Sequence, residues 1–180
     1  MPRRSVLFSQ SERNMREQDR SRTKPIGLIH SPFRQQAGTP IQPVFAEGAQ
    51  GTVELYPEYE EGLVDLIGFE RIWLLYWLHC APPARLRAVP YRDEVERGIF
   101  ATRSPCRPNA IGISCVRLLA VSGTILTVGD MDILDGTPLL DIKPYVPEFD
   151  SFPNAKAGWL DACRVDRTHA DERFDPEGAR

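Results

Sequence analysis

Two arginines, Arg103 and Arg107, stand four apart in the segment Gly98 to Gly112 (GIFATRSPCRPNAIG), which Pro105 and Pro108 stiffen. Cations held in place suit anionic groups such as a carboxylate or a phosphate, because a planar guanidinium loses little freedom when it pairs. Arginines in a turn also cap backbone carbonyls or make surface ion pairs, and spacing alone leaves both readings open. A second polar concentration is Asp130 to Tyr145 (DMDILDGTPLLDIKPY). There Asp135, Gly136, Thr137 and Pro138 have the pattern of a tight turn with a carboxylate at its start, and Asp141 and Lys143 fall on one face of an extended run. Such a turn can equally be only a turn. His79 closes an apolar stretch beside Cys80. An imidazole there can act as a base near neutral pH, donate a hydrogen bond to a ligand, or serve only the fold.

Other chemistries find less support. His30, His79 and His169 lie far apart, and Cys80, Cys106, Cys115 and Cys163 occur singly, without the paired spacing of zinc sites, so no metal is expected. Isolated thiols fit a reduced, cytoplasmic protein. No glycine-rich GxGxxG fingerprint or P-loop is present, which speaks against a nucleotide held in Rossmann fashion. A formal net charge of -3 and a pI near 5.7 give no overall basic field, so a nucleic-acid partner would have to meet a local patch. The longest apolar stretch, Ile72 to Leu78, falls far short of the roughly 20 residues that cross a bilayer, so no membrane partner is expected. The amino terminus has too brief an apolar run for a secretory signal, and Glu12, Glu17 and Asp19 argue against a transit peptide.

The elements that must position these groups read as short strands. Residues 1–23 are polar and charged and can bury too little to offset the entropy of ordering, which predicts a disordered or partner-ordered arm. A domain follows over 24–163. Ile26, Leu28 and Ile29 predict a strand ending at Ser31-Pro32, and prolines and glycines from Gln35 to Gly51 predict an ordered loop. Thr52 to Tyr56 alternates as a strand, Pro57 to Leu66 reads as a short helix or turn, and Arg71 to His79 (RIWLLYWLH) as a buried central strand. Ile99 to Thr102 reads as a further strand. Ile111 to Val121 and Thr124 to Val128 form a hairpin across Ser122-Gly123. Residues 164–180 read as a polar, frayed tail. The fold class is therefore mainly β, a single-domain non-Rossmann barrel with short helices and long ordered loops.

Five motifs in order, IGLIHSPF (Ile26 to Phe33), TPIQP (Thr39 to Pro43), GFERIWLLYWLH (Gly68 to His79), GIFATRSPCRPNAIG, and DGTPLLDIKPYVP (Asp135 to Pro147), resemble the TsaA-like, or TrmO, family over about residues 26–160. That resemblance implies a β-barrel homodimer that binds S-adenosylmethionine and methylates the threonylcarbamoyl-bearing N6 of an adenosine beside the tRNA anticodon. It also implies a cofactor pocket built from Pro43, Val44, Phe45, His79, Cys80, Arg103, Ile113, Gly129, Asp130, Met131 and Asp132. Arg103, Arg107, Asn109, Lys143 and Tyr145 would meet the substrate, and Asp135 or His79 would handle the proton of the acylated nitrogen. The sequence departs from the family pattern in places: Val44-Phe45 stands for Gly-Leu, Ile41 for Arg, and NAIG for NPIG at Asn109 to Gly112. The segment Arg87 to Gly98 replaces a proline- and arginine-rich loop, and a small C-terminal domain of longer members has no counterpart. These changes bear on which RNA docks. Two alternatives stand beside this reading: a regulatory module that binds S-adenosylmethionine, and a methyltransferase of the same fold with a small-molecule acceptor.

Overall fold

A computed structural model describes residues 23–175, so the expected arm lies almost wholly outside the described residues. Among these described residues eight strands form: β1 (Gly27–His30), β2 (Gln50–Leu55), β3 (Arg71–Trp77), β4 (Arg87–Ala88), β5 (Arg97–Gly98), β6 (Ile111–Ser122), β7 (Ile125–Gly129) and β8 (Thr137–Pro144). Six of them close a barrel in the order β1-β2-β7-β6-β3-β8, and β4 and β5 pair as a separate ribbon. All of the barrel's pairings are antiparallel. Closure leaves the sheet no free edge to recruit another chain.

The barrel follows from alternation along each strand. Ile72, Leu74 and Tyr76 of β3 point inward, as do Gly112, Ser114, Val116 and Leu118 of β6, where they meet Val53, Leu126, Val128, Met131 and Leu139. Burying each branched aliphatic side chain contributes about 1.5–3 kcal/mol. The β6–β7 hairpin turns at Gly123, whose φ of 57° is the left-handed conformation that glycine adopts without strain. Outside the strands, Pro57–Leu63 and Gly158–Ala162 are 3-10 turns, and Pro147–Asp150 forms the one α-helical turn among the described residues, α1.

Three expectations need correction. The strand expected over Ile99 to Thr102 is a 3-10 turn at Ile99–Ala101, because Ile99 alone turns inward there while Phe100 faces solvent. The apolar run Arg71 to His79 is a strand only to Trp77, and it is not buried on both faces: Trp77 is half exposed. The tail is not frayed over 164–175. Its Phe174 is 5% exposed and joins Ala88, Ile99 and Cys106 in a second small core beneath the β4–β5 ribbon.

Candidate active site

At one end of the barrel the strand termini and four loops enclose a half-open cavity of about 260 Å3. The barrel contributes Tyr76, Ile111, Gly112, Ile113 and Thr137; the loops bring Gln36 and Thr39 to Gln42, Leu78 to Ala81, Thr102, Arg103, Pro105 and Arg107, and Asp132 to Leu134. Tyr91 and Ala170 complete it. The walls are mainly apolar, with a few polar groups converging, the usual composition of a small-molecule site.

A hydrogen-bonded chain runs from the barrel interior into this cavity. The Tyr76 hydroxyl lies 3.0 Å from Ser114 Oγ, and Ser114 Oγ donates to Asp132 Oδ1 at 2.6 Å. Since the serine proton goes to the carboxylate, Tyr76 is the donor to Ser114. Burial holds the Tyr76 phenol well above its ordinary pKa, with the nearby Asp132 charge adding to the shift. Burial likewise pushes the Asp132 carboxyl up to about 7, against which the Ser114 hydrogen bond and the Arg103 charge pull only partly. Asp132 retains a partly accessible edge in the cavity while its carboxyl is screened from bulk water. Gly112 makes room for the phenol, since a Cβ there would stand 2.1 Å from Tyr76 Cε2.

Arg103 supplies the cavity's accessible cation, and its guanidinium reaches across to donate to Gln42 Oε1 on the facing loop. Arg107 also lines the cavity, but its Nη1 donates to the carbonyls of Ile99 at 3.1 Å and Thr102 at 2.8 Å, which is the carbonyl-capping role. His79 and Cys80 line the cavity and are exposed. Thr137 Oγ1 lies 3.5 Å from His79 Nδ1 while giving its proton to the Leu134 carbonyl at 2.7 Å, so the imidazole is only loosely held.

Several expected residues stand elsewhere. Asp135 does not line the cavity; its carboxylate accepts the Ser31 amide at 3.0 Å and pairs with Arg34, so it ties the turn before β8 to the loop after β1. Of Gly129 to Asp132 only Asp132 reaches the cavity: Gly129 ends β7, Met131 is core, and Asp130 bridges Arg71 at 3.0 Å and Arg117 at 3.1 Å. Pro43, Val44 and Phe45 form a 3-10 turn just past the lining residues Ile41 and Gln42, and Phe45 carries the Arg92 guanidinium over its ring. Asn109 is exposed outside the cavity. Lys143 pairs with Asp141 at 2.9 Å, and Tyr145 packs on Trp73, both away from the cavity. Residue reasoning missed Tyr76, Ser114 and Tyr91. The available signal was Ser114 itself, a hydroxyl at an inward position of an otherwise apolar strand face, which requires a partner.

The segment 87–98 carries three arginines and three carboxylates and is largely self-neutralised. Asp93 takes Arg97 at 2.7 Å, which holds its carboxyl below the ordinary value, and Glu96 takes Arg87 at 2.8 Å. The segment also sends Tyr91 into the cavity wall. Among the described residues no group of His, Cys, Asp and Glu could hold a metal ion, and no helix is long and apolar enough to cross a membrane.

Comparison with known proteins gives one family. The model of the tRNA-methyltransferase O N-terminal domain matches residues 28–151. A "Probable S-adenosyl-L-methionine-binding protein" of Pyrococcus abyssi is 51% identical over 153 residues, which cover 84% of this chain and 83% of the relative. The "tRNA (adenine(37)-N6)-methyltransferase" of Escherichia coli K12 is 36% identical over 148 residues, 77% of this chain and 63% of that protein. Among solved structures, "Crystal structure of TrmO from Pseudomonas aeruginosa" aligns with a TM-score of 0.67 at 42% identity, covering 78% of this chain and 63% of that one. The chain thus spans most of the Pyrococcus relative and less than two thirds of the other two.

Proposed function

The chain belongs to the family of the tRNA-methyltransferase O N-terminal domain, and from that membership and the cavity's donor set we propose that it uses S-adenosylmethionine to methylate N6 of threonylcarbamoyladenosine beside a tRNA anticodon. The observation that carries this reading is the convergence of Arg103 and Asp132 on one apolar-walled cavity. The residues present fit the cofactor. Arg103 suits its carboxylate, and Leu78, Ile113 and Ile133 offer an apolar wall to its base. When bound, the cofactor supplies a methyl group on a sulfonium that leaves as a neutral thioether.

The work of the chain is placement and proton handling. Holding the two reactants in line at about 3–3.5 Å can remove several kcal/mol of encounter entropy. The acylated nitrogen is a poor nucleophile, so an acceptor for its proton raises the rate. Asp132 is better placed for this than Asp135: it faces the cavity, and its raised pKa makes it a stronger base than an ordinary carboxylate. Ser114 and Tyr76 orient it from behind. His79, on the rim, remains the candidate for contact with the threonyl group or a phosphate.

The reading includes a homodimer. The outward positions of β3 and β6 carry Trp73, Leu75, Trp77, Ile111 and Ile113, and the last three are 44–51% exposed. Ile111 and Ile113 also line the cavity, so a second copy seated on this face would close the open side of the site. A cofactor-binding module without catalysis is the second reading, favoured by the Pyrococcus relative being named for binding alone. Nucleoside mass spectrometry of tRNA from cells lacking the gene separates them. Loss of a methylated threonylcarbamoyladenosine is expected, and an unchanged nucleoside profile would favour the binding module.

A further inference from the structure

We propose that residues 163–175 form a strap that completes the cavity by fixing two of its walls, and that Tyr91 and Ala170 are cofactor-positioning residues. This rests on the reading that the cavity holds S-adenosylmethionine. The strap lies beyond residues 28–151, which carry the family match, so the barrel motifs do not account for it.

Its first half pairs with the cavity loop as a strand would. Gly38 N donates to Ala170 O at 2.9 Å, Ile41 N to Thr168 O at 2.9 Å, and Ala170 N to Thr39 O at 2.8 Å, with Pro40 opposite His169. The loop over 36–42 belongs to no strand, so these bonds supply partners that its backbone otherwise lacks. The same loop carries Gln42, which accepts from Arg103, and the strap thereby fixes the partner of the cavity's cation. Ala170 itself forms part of the wall.

The second half anchors Tyr91. Phe174, 5% exposed, meets the Tyr91 ring edge-on at 5.2 Å between centroids, and Arg173 Nη1 donates to the Pro90 carbonyl at 2.7 Å. Burial pushes the Tyr91 phenol up to about 12, so it stays protonated, and its oxygen accepts from Gln36 Nε2 at 2.8 Å across the cavity wall. Two separate loops are thus locked to one segment, and a preformed wall binds more tightly than one that must be ordered by its ligand.

Calorimetric titration with S-adenosylmethionine tests the strap with the full chain, a chain ending at Cys163, Phe174→Leu, Phe174→Ala and Ala170→Trp. Shortening the chain should weaken binding about tenfold or more, with Phe174→Ala intermediate and Phe174→Leu largely restored. Ala170→Trp keeps the backbone pairing but fills the cavity, so it should weaken binding at an unchanged melting temperature even if the shortened chain folds poorly. In turnover assays these variants should raise KM for the cofactor and leave kcat near its original value. Full-length protein that binds while all the variants bind equally well would overturn the strap alone. Full-length protein that fails to bind at millimolar cofactor would overturn the cofactor reading and the strap with it.

Discussion

The carboxyl of Asp132, pushed up to about 7 by burial, keeps its proton through a pH range in which the unfolded chain has already released its own. Between the ordinary aspartate value of 3.8 and about 7 the native state therefore binds more protons than the unfolded one, and stability falls as pH rises through that window. Asp132→Asn retains an oxygen for Ser114 without the buried charge. Its melting temperature should match that of the original protein near pH 4 and exceed it above pH 7, and a gap independent of pH would contradict the burial argument. Methyl transfer by the same variant should fall by about 10²–10⁴, the usual worth of a positioned proton acceptor, with a smaller change in cofactor affinity. Rates of the original protein should climb with pH through about 7. Gly112→Ala tests the other end of the chain of hydroxyls. The added Cβ meets the Tyr76 ring, so chemical denaturation should register a loss of about 1–3 kcal/mol. No loss would mean that the phenol moves aside freely.

Strands were legible wherever burial on one face imposed alternation, as in β2, β6 and β7. The β3 run was harder, because its outer face is apolar too, and a strand apolar on both sides looks buried on both sides. Ile99 to Thr102 has strand composition, but of its apolar side chains only Ile99 enters a core. The strap escaped because its pairing partners, Gly38 to Ile41, lie more than a hundred residues away, and a polar composition conceals backbone hydrogen bonding and a single buried Phe174. His79, Cys80, Arg103, Ile113 and Asp132, which the motifs grouped, all line one cavity, because strand β6 and the loops at the strand ends carry them there. Asp135, Lys143 and Tyr145 share their motif yet serve the turn and the outer barrel face, a division that depends on the direction of side chains in three dimensions. The two loops can be compared directly. Arg103→Ala should weaken cofactor binding or turnover by about tenfold or more, as loss of a charge-assisted contact does, whereas Arg97→Ala removes an ion pair with Asp93 and a stacking contact on Trp159, both outside the cavity, and should change either by less than twofold. Equal effects in the two titrations would show that the site lies elsewhere.

At the scale of the whole molecule, the half-open cavity and the apolar outer face of β3 and β6 meet along the positions of Ile111 and Ile113. Light scattering should report a dimer at micromolar concentration. Trp77→Glu should shift it to monomer and weaken cofactor binding in parallel, while a monomer in the original protein would contradict the shared face. The identity of the methyl acceptor is tested by transfer in vitro. Purified protein is incubated with methyl-labelled S-adenosylmethionine and with tRNA that carries or lacks the threonylcarbamoyl group. Label confined to the threonylcarbamoyl-bearing tRNA is the predicted result, and label in both alike, or in neither, would contradict it.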